Sequence, residues 1–185
     1  DRDALAACRL LAPRLGELSA ERVLSELFRI LEAPNPADTM ILMNGERILE
    51  HFLPEAENFG RLRMVYWLET TAIKVASVVT DPLRRLAAIL PDDPRGHEAL
   101  AQGLRLSKNQ ASRLALMTRG EYAPNPELDE QQRRLALFDL QAEGFRDLVI
   151  LNWAQEMALQ PRRQADRSEA WLTMLEAADA WTKPV

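Results

Sequence analysis

The chain has 185 residues, of which 47% are hydrophobic and 28% charged, with a formal net charge of −5. That composition fits one large or two small globular domains. It excludes an internal disulfide, since Cys8 is the only cysteine, and argues against a zinc site built from that thiol and two histidines, His51 and His97. No run of about 18 apolar residues is present, so no membrane span is expected, and Asp1-Arg2-Asp3 lacks the basic-then-apolar order of a signal peptide. A lone thiol suits a reducing cytoplasm. The acidic balance argues against a surface dominated by phosphate contacts, so any case for nucleic acid rests on where the positive charge is concentrated.

Taken in order, the chain reads as helix after helix. Residues 3 to 15 place Leu5, Cys8, Leu11 and Leu15 on one face, which predicts a buried, inert thiol at Cys8, and Gly16 ends the segment. Ser19 is an N-cap for a helix with Glu21 in its first turn and Val23, Leu27, Ile30 and Leu31 at helical spacing, closed before Pro34. Asn35-Pro36 starts a short helix to about Asn44, and Glu46 to Leu53 reads as another. Residues 60 to 80 are read as helix throughout. The β-branched stretch from Thr70 to Thr80 also fits a strand on propensity, but no partner strand is visible. Asp81-Pro82 opens a helix carrying Leu83, Leu86, Ala87 and Leu90.

After the Pro91–Pro94 turn, a helix near 95 to 103 leads to Ser107, which forms a capping box with Gln110. Gly120 to Pro126 is a hinge. Two helices, about 127 to 142 and 145 to 158, are expected to part at Gly144. A polar linker from Gln160 to Arg167 precedes a last helix capped by Ser168. The expected fold is all-α, an irregular array of about nine helices.

Several of these segments together resemble the neck and body of CCA-adding tRNA nucleotidyltransferases and bacterial poly(A) polymerases. The residues that carry the likeness are Leu18-Ser19-Ala20-Glu21-Arg22-Val23-Leu24-Ser25-Glu26-Leu27, the turn Leu31-Glu32-Ala33-Pro34-Asn35-Pro36, and Phe52-Leu53-Pro54-Glu55. Asp81 to Pro91 and Leu104 to Ser107 extend it. The likeness implies a neck-like RNA-binding helical domain over residues 1–58 and a helical body over 59–185. It implies a tRNA partner, held at the acceptor and TΨC arms by shape and phosphate contacts. It further implies a parent nucleotidyltransferase that adds CCA or a related 3′ tail, using ATP and CTP with Mg²⁺ held by a head domain in cis. That head's Gly-Ser turn, paired aspartates and base-reading motif are absent from this sequence. Asp1-Arg2-Asp3 has the bare spacing of paired carboxylates without the preceding strand and glycine turn, and reads as solvated. On this reading the chain is a fragment that binds no cofactor, contributes no catalytic or metal-ligating residue and is inactive alone.

Two groups of residues are the candidates for function. Ser19, Glu21, Arg22 and Glu26 match the neck motif, where the family uses the segment to brace its nucleotide-reading turn. By themselves they read as a cap plus an Arg22–Glu26 surface pair at i,i+4. Arg105, Lys108, Arg113 and Arg119 lie in a stretch, residues 99–120, with no acid, and Lys108 and Asn109 sit at a helix N-terminus suited to a phosphate oxygen. The functional reading of this group is contact with the RNA backbone, and the plain reading is a solvated helix face. Arg162, Arg163 and Arg167 form a second basic cluster that reads as linker. Trp67, Trp153, Trp171 and Trp181 read as core before base-stacking. The competing reading from another class is a helical protein-interaction or oligomerisation module with no RNA role. Oligomeric state and the choice between CCA, A-only and poly(A) addition are not written in these residues.

Overall fold

The computed structural model describes residues 1–160 and 167–182. Among these the chain is all-α, with nine α-helices and no strand. They are α1 (Arg2–Leu11), α2 (Ala20–Glu32), α3 (Pro36–Gly45), α4 (Phe59–Trp67), α5 (Pro82–Ile89), α6 (Glu98–Gly103), α7 (Lys108–Thr118), α8 (Glu130–Leu159) and α9 (Ser168–Ala180). Helix α4 lies against α3, α5 and α8, with α9 packed on α8.

The caps follow the sequence. Ser19 Oγ accepts the Arg22 N–H at 3.3 Å, and Asp81 Oδ1 accepts that of Arg84 at 2.9 Å. Ser107 and Gln110 form the expected capping box. A second box, Asp129 with Gln132, starts α8. One hydrophobic cluster runs from Leu27 and Leu31 through Leu62, Leu86 and Phe145 to Leu175 and Ala178. Trp153 and Trp171 stack within it, centroids 6.1 Å apart, while Trp67 is exposed and Trp181 half-buried against the cluster.

Several sequence expectations are corrected. Helix α1 has no buried residue: Leu10 and Leu11 face solvent and Cys8 is an exposed free thiol. The helix packs on little besides the 3₁₀ turn that follows it (Ala12–Glu17), so its apolar stripe has no core to enter. Glu46 to Leu53 holds only a 3₁₀ turn, Leu49–His51, because Arg47 takes a left-handed φ of 60° that a continuous helix cannot accommodate. Helix does not extend over Thr70 to Thr80. A π-helical turn, Leu68–Ala72, ends α4 and residues 73–81 run irregularly, as the β-branched run there disfavours helix.

The break in α8 falls at Gln141 (φ 57°, ψ 169°), not at Gly144. Gly144 lies inside the helix because Leu116 of α7 packs where a side chain would stand: a Cβ built there would lie 2.6 Å from Leu116 Cδ2. The last helix is entered from Arg167, with Ser168 as its first residue. Arg162 and Arg163 lie outside the described residues.

The largest feature hidden from sequence reading is a buried set of alternating charges. Glu69, carried inward by the π-helical turn, accepts from Arg85 Nε at 2.7 Å and lies 3.3 Å from Arg84. Arg85, fully buried, also donates to the Leu31 carbonyl at 2.6 Å and sits 5.1 Å over the Tyr66 ring. Arg84 is 3.6 Å from Asp147, and Arg113 bridges Asp147 (2.7 Å) and Asp81 (2.6 Å). Six charges of alternating sign thus tie the end of α2 to α5, α7 and α8. Burial pushes the Glu69 and Asp147 carboxyls above the usual range, against the pull of the arginines. Burial acts the same way on Asp81, but the Arg84 N–H and the Arg113 guanidinium outweigh it and hold that carboxyl low.

Candidate nucleic-acid interface

The first turn of α2 is set by the Ser19 cap, which leaves Glu21 and Arg22 projecting from an exposed helix start. Opposite it, the chain leaves α6 and turns through Leu104 and Arg105 into the capped start of α7. Arg105 takes a left-handed φ of 53°. Its Nη1 donates to Glu21 Oε1 at 2.7 Å. The two groups singled out in the sequence, one in the neck motif and one in the basic stretch, therefore meet although 84 positions separate them. Glu21's own backbone N–H and then Arg105 hold its carboxyl below the ordinary range. Beside this junction an open cleft of about 430 Å³ is walled by Leu18, Ala20 and Val23 on one side and Leu100, Gly103 and Leu104 on the other, with His51 and Phe52 between.

The remaining candidates fall in three different settings. Lys108 and Asn109 are exposed in the first turn of α7, next to the junction, and Lys108 has no carboxylate partner among the described residues. Arg119 is exposed at the other end of that helix, about 16 Å away at 1.5 Å per residue. It lies over Gly96, where a built Cβ would be 3.1 Å from Arg119 Nε. Arg113 is not one of the exposed cations: its guanidinium is turned inward to Asp147 and Asp81, with Glu143 at 3.6 Å, and that company raises its pKa against its own burial. Of four cations read as a basic run, two are thus balanced by acids from distant segments.

In the neck motif the expected Arg22–Glu26 pair does not form. Glu26 pairs with Arg29 at 3.1 Å, and Arg22 is an exposed cation without a carboxylate partner among the described residues. Arg167 is engaged by Glu127 at 2.5 Å and Glu156 at 3.0 Å. Asp1 caps α1 by accepting the Asp3 N–H at 3.0 Å, and both are exposed. Among the described residues no three His, Cys, Asp or Glu side chains converge as metal ligands.

Comparison with known proteins bears on the same end of the molecule. Residues 1–59 match the family described as the probable RNA and SrmB-binding site of polymerase A. By this match the stretch is similar to the RNA-binding region of poly(A) polymerases. It contains α1 to α3, the whole neck motif and the Glu21 side of the junction. No curated protein and no solved structure matches the chain. Among the described residues no helix is long and apolar enough to cross a membrane.

Proposed function

We propose that this chain is the RNA-holding helical part of a tRNA nucleotidyltransferase, residues 1–58 acting as a neck-like RNA-binding domain and residues 59–185 as the body that buttresses it. The observation that carries the reading is the meeting of the polymerase-type region with the start of α7 at Arg105 and Glu21. The proposed contact surface comprises Arg22, Arg105, Lys108 and Asn109, with Arg119 as a more distant phosphate contact. Ser19, Glu21 and Glu26 shape the segment that presents it. Arg105 is available to RNA because its pair with Glu21 is exposed, 69% and 56% for the two side chains. An ion pair this exposed is screened by solvent and contributes little, so a phosphate oxygen can displace the carboxylate readily.

In this reading the substrate is tRNA, gripped at its acceptor and TΨC arms through shape and backbone. The addition of C, C and A, or of a related tail, from CTP and ATP with Mg²⁺ is the work of a separate head domain in cis, in the cytoplasm. This chain alone is then catalytically silent. The rival reading, a protein-interaction module, shares the apolar helices and the acidic balance. The discriminating experiment is tRNA binding by the chain across a potassium chloride series. A linear fall of log affinity with log salt, with a slope of several units, supports phosphate neutralisation. Absence of binding at the lowest salt favours the protein-interaction reading.

A further inference from the structure

A second polar site lies away from this junction, beneath the start of α4. Arg61 is only 9% exposed, and its guanidinium makes no hydrogen bond or ion pair with any described residue. Its Nε is fully enclosed without a partner. A buried cation left in this state is strongly unfavourable relative to one that is paired. The two arginines more deeply buried than Arg61, Arg84 and Arg85, each have a carboxylate within ion-pair distance in the charge network described above.

Arg61 lines a cavity of about 230 Å³ whose other walls include Tyr122, Asn152 and Gln155. The cavity is closed on one side by the first turn of α4. Asn58 stands at the N-cap position of that helix but does not cap it; its amide donates instead to the Leu90 carbonyl at 3.2 Å. The Phe59 N–H donates to the Glu57 carbonyl at 3.1 Å, which leaves the N–H groups of Gly60 and Arg61 in that turn without a side-chain acceptor. Of the first turn only Arg61 lines the cavity, and its buried, unpartnered guanidinium calls for a compact anion with several acceptor oxygens.

We propose that this cavity binds a single phosphate group, with Arg61 as its cationic partner. A phosphoryl group offers acceptors both to the guanidinium fork and to backbone N–H groups. The carboxylates of Asp92 and Glu57 also line the cavity. Asp92 attracts Arg61 only from beyond ion-pair distance. Together the two acids repel an extended polyphosphate more than a single phosphate. The phosphate has two sources, free inorganic phosphate or one phosphate of an RNA strand.

The test follows the Arg61 Nε–H resonance and the thermal midpoint of the 185-residue chain during titration with inorganic phosphate, against chloride at equal ionic strength. The proposal expects a saturable movement of that resonance and a rising midpoint. It expects Arg61→Lys, which loses the fork, and Gln155→Glu, which adds a negative charge to the cavity wall, each to weaken phosphate binding by about tenfold or more. No saturable movement, or unchanged binding in Gln155→Glu, overturns it; that variant alone decides if Arg61→Lys fails to fold. A 5′-phosphorylated oligoribonucleotide that moves the same resonance, where its unphosphorylated form does not, assigns the phosphate to a strand. Movement with inorganic phosphate alone assigns it to the free ion. Because the titration contains no tRNA, a chain that binds phosphate but not tRNA refutes only the RNA reading.

Discussion

Arg105 reaches across 2.7 Å to Glu21 and so fastens the entrance of α7 to the first turn of α2. Both side chains are largely in solvent, so the pair orients the two segments more than it stabilises them. Its carboxylate also sets a negative charge against Arg105 in the proposed contact surface.

Removing that charge separates orientation from binding. Glu21→Gln is expected to leave the denaturant midpoint essentially unchanged, as removal of exposed pairs does. The same change frees Arg105 for phosphate, so tRNA affinity at fixed low salt is expected to rise severalfold. Denaturant titration and filter binding on the same preparation check the two halves.

The two glycines of close approach respond differently to alanine. Gly96 has φ +63°, and a Cβ there would lie 2.6 Å from Ala115 Cβ and 2.8 Å from its Cα, which is backbone and cannot yield. Gly96→Ala is expected to cost about 2–5 kcal/mol, from left-handed strain of about 1–2 kcal/mol and overpacking of about 1–3 kcal/mol. At Gly144 the obstruction is Cδ2, the far end of the half-buried Leu116 side chain. Its movement is offset by the roughly 1 kcal/mol gain in helix propensity, so Gly144→Ala is expected within about 1 kcal/mol of the parent. Urea unfolding of both variants tests the ordering.

The buried charges make the opposite prediction to the surface ones. Arg85→Met leaves Glu69 enclosed with Arg84 alone and removes the donor to the Leu31 carbonyl. The expected loss is about 3–5 kcal/mol, as for a buried pair broken on one side. Replacing a hydrophobic neighbour such as Ile89 by valine is expected to cost only about 1 kcal/mol. Comparable losses for the two variants in denaturant would contradict the role given to the network.

How far the sequence revealed this molecule depends on the range of the interaction. Ser19, Ser107 and Gln110 were legible because a cap is a matter of three residues, and Leu27 and Leu31 because helical period marks a buried face. Cys8 and Leu11 carry the same period, yet nothing packs on them, and periodicity alone does not say whether a core lies opposite. Glu69, Arg85, Asp147 and Arg113 come from four elements and form no local pattern, so sequence alone presents Arg113 as a surface cation. Its tell was indirect: an arginine in a helix that also holds the buried Leu114 and Met117. Arg61 gives no local signal for the same reason, since the cavity it lines is walled by residues from distant segments such as Tyr122 and Gln155. Gln141 gave no signal, since neither glycine nor proline marks the break in α8.

Acid behaviour is expected to be marked at Asp179. Ser77 donates to its Oδ1 at 2.5 Å and Arg146 at 2.8 Å, and these bonds, Ser77 foremost, hold the carboxyl below the ordinary aspartate range against slight burial. A depressed native pKa contributes stability that is present above the unfolded-state pKa and lost as pH falls through the native value. In Ser77→Ala the Asp179 carboxyl is expected to titrate at higher pH by NMR, and the acid-side loss of stability to shrink. An unchanged titration would place the cause elsewhere.

The central claim is that cations at the start of α2 and of α7 neutralise RNA phosphates. Its most direct test is the salt dependence of tRNA binding by the chain and by the double variant Arg22→Gln/Lys108→Gln, which alters only exposed side chains. The account predicts a negative log–log slope of several units for the parent, made shallower by about 2 in the variant, roughly one unit for each lost phosphate contact. Equal slopes for the two proteins, with both correctly folded, would contradict it.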